Sequence, residues 1–291
     1  MSDVKKYILL GGIEPREHWS KRYEGVLRKK VIIPYQNSVA KTFGRALAYA
    51  PGELVPSTVL DRLDYAFRQV TIDPDEVNNI VTSALVYLNK RHRTEVLRVL
   101  QQAIGVDIRH LLQEPVVNNY MNQKITENVA LIRTLDDRHK KGLLDKVQKD
   151  LVNKPFDRAS ITKHLQQQSN VTGYNLRRIT RDQTNKMTGN LTQMRHQQIG
   201  LTHYMWSTSQ DSRVRDEHRP LDGKIFTWDD PPPGGHPGEA IQCRCVALPM
   251  LDEEKAKKIK DGAGQEEKKK RKVLNFVLPS KLKMPKKRTT I

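Results

Sequence analysis

The chain has few cysteines, few aromatic residues and no long apolar run. Two cysteines in 291 residues cannot build a disulfide framework, and the Cys243-x-Cys245 spacing is a poor geometry for a bridge between the two. A reducing cytosol is therefore the expected site of assembly. No stretch approaches the ~20 apolar residues of a membrane span, and the apolar run near the N-terminus is too short for a signal peptide, so no membrane partner is expected. Aromatic residues make up only 6% of the chain, which favours a helical protein over a compact sandwich.

Acidic residues are also in short supply relative to basic ones. The chain has 51 Lys and Arg against 33 Asp and Glu, a net charge of +18. Such a charge predicts a polyanionic neighbour, most often nucleic acid, although a basic surface that docks on an acidic protein is an alternative. Residues 252–291 are especially basic and are expected to form a flexible tail. The part of this tail expected nearest to DNA is a run of five cations: Lys268, Lys269, Lys270, Arg271 and Lys272.

Helical periodicity dominates the first two thirds of the chain. Residues 1–36 lack a clear period and indicate an extended or partly helical N-terminal arm, which packs either on its own domain or on a partner. Residues 37–200 form a helical body in which apolar positions recur with helical spacing. Asp73-Pro74 supplies an N-cap and a proline at the first helical position, and Gly105 ends that helix.

A second long helix is predicted to begin at Glu114-Pro115 and to stop before Pro155. The rest of the body is expected to comprise a short helix, a polar turn and a last helix: Ile161–Gln168, Ser169–Gly173 and Tyr174–Gly200. The pattern as a whole predicts an α+β fold. Its mainly α-helical body has long antiparallel helices and is followed by a small, loop-rich module that contains β-strands.

Residues 201–251 form that C-terminal module. They are rich in proline and glycine and contain both cysteines and two of the three tryptophans. A unit of this size cannot hold itself together by apolar burial alone, so a metal, a neighbouring helix or a partner must help. We expect Trp206 and Trp228 to pack in its small core. Gly223 is expected in a turn that needs a positive φ.

Four residues of the module have metal-binding chemistry: His218, His236, Cys243 and Cys245. Zinc binds thiolate and imidazole, usually four in total, so these residues are candidate ligands of a structural zinc ion. The alternative is a pair of buried cysteines with two hydrogen-bonded histidines. The carboxylates of Asp216-Glu217 lie beside His218 in the sequence, and such a pair of groups can serve in acid–base catalysis. However, no nucleophile with a partnered base stands out. We therefore predict a protein that is not an enzyme.

The order and spacing of residues between Trp206 and Cys245 carry a resemblance to a known family. The stretch reads W-x4-D-x-R-V-R-x2-H-x2-L-D-G, then H-P-G and C-R-C. This pattern resembles that of the phage Mu F-like minor head proteins, the phage head morphogenesis domain family, and Arg178–Gln183 resembles the helix before it. The resemblance covers roughly residues 160–250. The positions that carry it are Trp206, Asp211, Arg213, Arg215, His218, Asp222, Gly223, His236, Cys243 and Cys245.

The resemblance implies a minor head structural protein of a tailed bacteriophage. Such proteins associate with the portal protein inside the head, assemble in the host cytoplasm with major capsid and scaffold proteins, and are similar in role to DNA-ejection factors. Contact with packaged DNA would be through phosphates and independent of sequence. Some relatives have C-x-x-C where this chain has Arg215-x-x-His218. Arginine cannot bind a metal, so Arg215 is expected to replace one by pairing with Asp211 or Asp222.

Two other functions fit parts of the sequence. A metal-dependent nuclease could use His218, His236 and nearby carboxylates, but it would need an open metal position and a base that activates water. A general DNA-binding protein would use the basic charge alone.

Overall fold

The computed structural model describes residues 6–48, 56–153 and 158–262. They form a helical body and a four-stranded antiparallel sheet, which confirms the α+β prediction. None of the helices in these ranges is long and apolar enough to cross a membrane. The helices are α1 (Glu17–Leu27), α2 (Ile33–Ala48), α3 (Pro56–Arg68), α4 (Pro74–Ile104), α5 (Glu114–Asn153) and α6 (Arg158–Gln198). The strands are β1 (Tyr7–Leu9), β2 (His203–Ser207), β3 (Ile225–Thr227) and β4 (Val246–Asp252).

The predicted limits of α4 are confirmed by its capping groups. The Asp73 carboxylate accepts hydrogen bonds from the backbone N–H groups of Asp75 and Glu76, at 2.9 and 3.3 Å. Gly105 ends the helix with a φ of +80°, a conformation that costs glycine little. The start of α5 at Glu114 also agrees with the prediction.

The predicted break between residues 161 and 200 is wrong, because α6 is one continuous helix through the expected turn at Ser169–Gly173. The polar side chains that suggested a turn are satisfied inside the helix and against α5. Thr172 donates to the carbonyl oxygen of Gln168 at 3.0 Å, and its hydroxyl lies 2.7 Å from Nδ1 of His139 on α5. Tertiary packing therefore outweighs the weak helix propensity of this stretch.

The antiparallel helices α5 and α6 form the centre of the body together with α1. Tyr23 of α1 donates to Asn128 of α5 at 3.2 Å, and Asn128 donates to Gln183 of α6 at 3.1 Å. All three side chains are buried. Around this polar contact lies a large apolar cluster that draws on each helix from α1 to α6. The three helices are thus joined by specific hydrogen bonds as well as by apolar burial.

The described part of the N-terminal arm packs on its own chain. β1 pairs with β4 at the edge of the sheet, whose strand order is β1-β4-β2-β3. Trp19, Tyr23 and Leu27 of α1 are buried in the main cluster, and α2 already begins at Ile33. Of the two alternatives for residues 1–36, the described residues therefore agree with packing on the chain's own domain.

The basic tail lies mostly outside the described residues. Residues 253–262 are helical and follow β4 directly. The expected DNA-proximal run from Lys268 to Lys272 falls outside the described ranges.

Candidate functional site

The sheet places two aromatic side chains in the core of the C-terminal module. β2 alternates between half-buried and buried residues, so Tyr204 and Trp206 point inward with exposures of 0% and 1%. Trp228 is 4% exposed and its ring centroid lies 4.3 Å from that of Tyr204. These three rings form a small cluster with Cys243, Cys245 and Ala247. The expected core positions of Trp206 and Trp228 are thus confirmed.

A tight turn leads from the loop after β2 into β3. Gly223 has a φ of +74°, as predicted, and its N–H donates to the carbonyl oxygen of Trp206 at 2.8 Å. The Asp222 carboxylate accepts from the backbone N–H of Thr208 at 2.7 Å, and this bond is the main reason why the pKa of Asp222 is lowered. Asp222 and Gly223 therefore fix the two ends of one loop.

Asp211 ties this loop to the Cys243-Arg244-Cys245 segment. Arg244 donates to both oxygens of Asp211 at 2.5 Å, and Arg213 donates through its backbone N–H at 3.0 Å and its guanidinium at 3.1 Å. These cations, Arg244 first, hold the pKa of the Asp211 carboxyl well below its usual range. Such a two-pronged contact is the strong form of the arginine–carboxylate pair.

The expected role of Arg215 is wrong. Its guanidinium donates to the carbonyl oxygen of Ile241 at 2.6 Å and lies 3.9 Å from Glu217. The Asp211 carboxylate is paired with Arg244, and the Asp222 carboxylate accepts a hydrogen bond from the backbone N–H of Thr208. Neither of the two predicted partners is therefore paired with Arg215. Arg215 instead anchors the segment that precedes the cysteines.

His236 is held within the aromatic cluster. Its Nδ1 lies 2.9 Å from the Tyr204 hydroxyl, and its ring centroid is 5.1 Å from that of Trp228. Its backbone N–H donates to Glu239 at 2.9 Å. Burial lowers the pKa of the imidazole, so the ring is neutral at physiological pH and suited to this hydrogen bond.

Three of the four candidate metal ligands come together. His218, Cys243 and Cys245 are buried, and their ligating atoms lie within 4.8 Å of one another. Nδ1 of His218 is 3.7 Å from Sγ of Cys243 and 3.6 Å from Sγ of Cys245. Among the described residues this is the only such group of three or more His, Cys, Asp or Glu side chains, and it does not include His236.

The two cysteine side chains of this group interact with each other. The Cys245 side chain donates to the Cys243 sulfur, which lowers the pKa of Cys243 to about 5 and raises that of Cys245. The backbone N–H groups of Gly238 and Cys245 lower the pKa of Cys243 further. Cys243 is therefore the more acidic thiol of the pair.

Helix α6 supplies anchors for the module that the sequence analysis missed. The Asp182 carboxylate accepts from the backbone N–H of Gln242 at 2.6 Å, and Asn185 donates to the carbonyl oxygen of Cys243 at 2.9 Å. Gln242 has a φ of +59°, so its backbone conformation is one that needs support. The two anchors are three residues apart, so they share one face of the helix.

Gly189 continues the same face and meets the His236-Pro237-Gly238 turn. A Cβ atom on Gly189 would lie 2.6 Å from the carbonyl oxygen of Pro237. Gly238 has a φ of +93°, and a Cβ there would lie 3.4 Å from the Cα of Gly189. Two glycines therefore allow the turn and the helix to approach more closely than any side chain would permit.

The comparisons with known proteins cover the part of the chain that contains these anchors. Residues 152–248 match the model of the family described as phage Mu protein F like protein. An uncharacterised protein of Haemophilus influenzae is 34% identical over 183 residues, which are 61% of this chain and 40% of that protein, so the match spans less than half of the relative's length. No solved structure matches the chain. The span from 152 to 248, with the anchors on α6 and the cysteine segment that they hold, is a phage Mu F-like region.

Proposed function

We propose that this chain is a minor structural protein of a tailed-phage head, docked on the portal protein inside the head and close to the packaged DNA. The observation that carries the proposal is the phage Mu F-like region at residues 152–248. Major capsid and scaffold proteins are its expected neighbours during assembly in the host cytoplasm.

The way in which the module is joined to the helical body supports a structural role. α6 runs through the core of the body and also carries Asp182 and Asn185, which hold the module. At the other side of the sheet, β1 from the N-terminal end of the chain pairs with β4. The module is therefore held to the rest of the chain at two places, as is expected of a structural component.

The charge of the chain supports a position next to DNA. A net charge of +18 favours contact with phosphate groups, and such contacts are independent of base sequence and weaken as salt is added. Ejection of DNA through the portal would require contacts of this reversible kind. The basic tail beyond residue 252 is the part of the sequence with the densest positive charge.

The candidate ligands argue against a magnesium-dependent nuclease. The one group of three potential ligands among the described residues consists of an imidazole and two thiols, which favour zinc over magnesium. A magnesium-dependent nuclease would use oxygen ligands. His236, which the nuclease alternative would use, is hydrogen-bonded to Tyr204.

The test is co-purification of the full chain with the portal protein of the same phage at about 0.5 M salt, where the Debye length falls to a few ångströms. We expect the complex to persist, because specific docking depends on shape and apolar contact more than on net charge. A second sample that lacks residues 263–291, and so keeps the helix with buried Ala256 that follows β4, serves as the control. It should keep portal binding and lose DNA binding at low salt.

Two results would count against the proposal. If the portal complex dissociates at high salt while low-salt DNA binding remains, charge drives association and general DNA binding becomes the better function. If purified protein cleaves a plasmid in the presence of magnesium, manganese or zinc, and His218→Ala abolishes the cleavage, the chain is a nuclease.

A further inference from the structure

The module contains a cluster of three ligating side chains with the dimensions of a tetrahedral metal site. In such a site, with Zn–S bonds of about 2.3 Å and Zn–N bonds of about 2.0 Å, a nitrogen and a sulfur ligand lie about 3.6 Å apart. The two distances from Nδ1 of His218 to the sulfurs of Cys243 and Cys245 are 3.7 and 3.6 Å. We propose that His218, Cys243 and Cys245 bind one zinc ion, and that water occupies the fourth position.

The equal distances argue for a shared metal rather than for a hydrogen bond. A neutral imidazole nitrogen takes part in one good hydrogen bond, so it would approach one sulfur and leave the other. Nδ1 of His218 instead faces both sulfurs at nearly the same separation. A single atom between the three groups accounts for this arrangement.

The surroundings of His218 orient it as a ligand. Its ring packs edge-on against Trp206, with centroids 5.3 Å apart and planes at 72°. The Glu217 carboxylate lies 4.0 Å from Nε2, on the side of the ring away from the sulfurs. Metal binding through Nδ1 needs the ring proton on Nε2, the nitrogen that faces Glu217.

The surroundings of the cysteines suit a metal thiolate. The backbone N–H groups of Gly238 and Cys245 are directed at the Cys243 sulfur, and the Trp206 indole N–H, which has no other partner, lies beside Cys245. Such donors are the usual neighbours of sulfur ligands. Two soft thiolates and an imidazole also favour zinc over magnesium or calcium.

The fourth position falls to a small exchangeable ligand. His236 is hydrogen-bonded to Tyr204 and is not part of the group. All nine histidines and both cysteines of the chain lie within the described residues, and of these eleven side chains only His218, Cys243 and Cys245 form the group. Because the module has a small core, a metal that joins His218 to the cysteine segment would add to its stability. This zinc site goes beyond the proposed role in the head and does not depend on it.

The test is metal analysis of the full-length protein after incubation with zinc and removal of unbound ions. We expect about one equivalent of zinc in the wild type and in His236→Ala, and less than roughly a tenth of an equivalent in Cys245→Ser. His236→Ala is the matched control, because it removes a buried histidine of the same module that is not in the group. Far-UV circular dichroism of each variant shows whether it is folded.

Cobalt gives a measurement on the wild type that does not depend on variants. Metal-free protein titrated with Co²⁺ should develop thiolate-to-cobalt charge-transfer absorption and the visible bands of a tetrahedral site, and added zinc should abolish both. A wild type that binds neither zinc nor cobalt would overturn the proposal. Loss of zinc from folded His236→Ala would overturn the three-residue ligand set.

Discussion

Gly189 offers a sharp test of how the module docks on α6. Replacement by alanine adds a Cβ atom 2.6 Å from the carbonyl oxygen of Pro237, which is well below a normal contact distance. The obstructing atom belongs to the backbone and cannot rotate away, so the turn at Pro237 or the helix must shift. Forcing an extra methyl group into a packed contact typically costs about 1–3 kcal/mol.

The matched control is Gly25→Ala in α1. Gly25 is also a helical glycine, and a Cβ there has nothing within 4 Å. Both variants gain about 1 kcal/mol from the better helix propensity of alanine, so the difference between them isolates the contact at Pro237. We expect Gly25→Ala to be slightly more stable than the wild type and Gly189→Ala to lie about 1–3 kcal/mol below Gly25→Ala.

The assay is equilibrium unfolding in urea, followed by tryptophan fluorescence, with thermal melting as a second measurement. Trp206 and Trp228 report on the module itself because both are buried in its core. In domains of about 150–250 residues, each kcal/mol shifts the melting temperature by roughly 2–4 °C. If Gly189→Ala is as stable as Gly25→Ala, the close approach between α6 and the turn at Pro237 is refuted.

Two further predictions concern the carboxylates that hold the module. Asp182→Ala should lower the free energy of unfolding by about 1–3 kcal/mol, because the backbone N–H of Gln242 loses its acceptor. Asp182→Asn keeps an oxygen at this position and should lower the free energy of unfolding by less. Equal losses of the two variants in urea unfolding would contradict this role of Asp182. Asp211→Asn should be less stable than the wild type at neutral pH, and the difference should shrink as the pH falls below about 4. The reason is that the pKa of Asp211 is lower in the folded protein than its unfolded value of about 3.9, so the carboxylate stabilises the fold above that pH and this contribution is lost as it becomes protonated. Urea unfolding over a pH series measures it, and a difference that does not change with pH would contradict the assignment.

The limits of α4 could be read from the sequence because local chemistry sets them. The Asp73 carboxylate caps the helix through groups two and three residues away, and Gly105 ends it through its own backbone. The continuity of α6 could not be read in this way. It depends on contacts such as that of Thr172 with His139, which lies 33 residues earlier in the chain.

In the candidate site, too, local features could be predicted from the sequence and long-range contacts could not. The residue types in the module predicted the metal chemistry of His218 and the two cysteines, since few other side chains bind zinc. The sequence did not separate His218 from His236, because their different partners, the two sulfurs and Tyr204, are set by the sheet. Asp182 lies within the Arg178–Gln183 stretch that resembles the family's helix, but its contact with Gln242 depends on the packing of α6 against the module.

The phage Mu F-like region depends physically on residues outside it. β4 pairs with β1 through residues 250–252, so a fragment restricted to residues 152–248 would cut β4 after Leu248 and leave His203 and Tyr204 of β2 without their partners. The same fragment would also expose the buried face of α6, which packs with Trp19 and Leu27 of α1. An exposed strand edge and an exposed apolar face both favour aggregation. Residues outside the matched span therefore complete the sheet and cover the apolar face of α6.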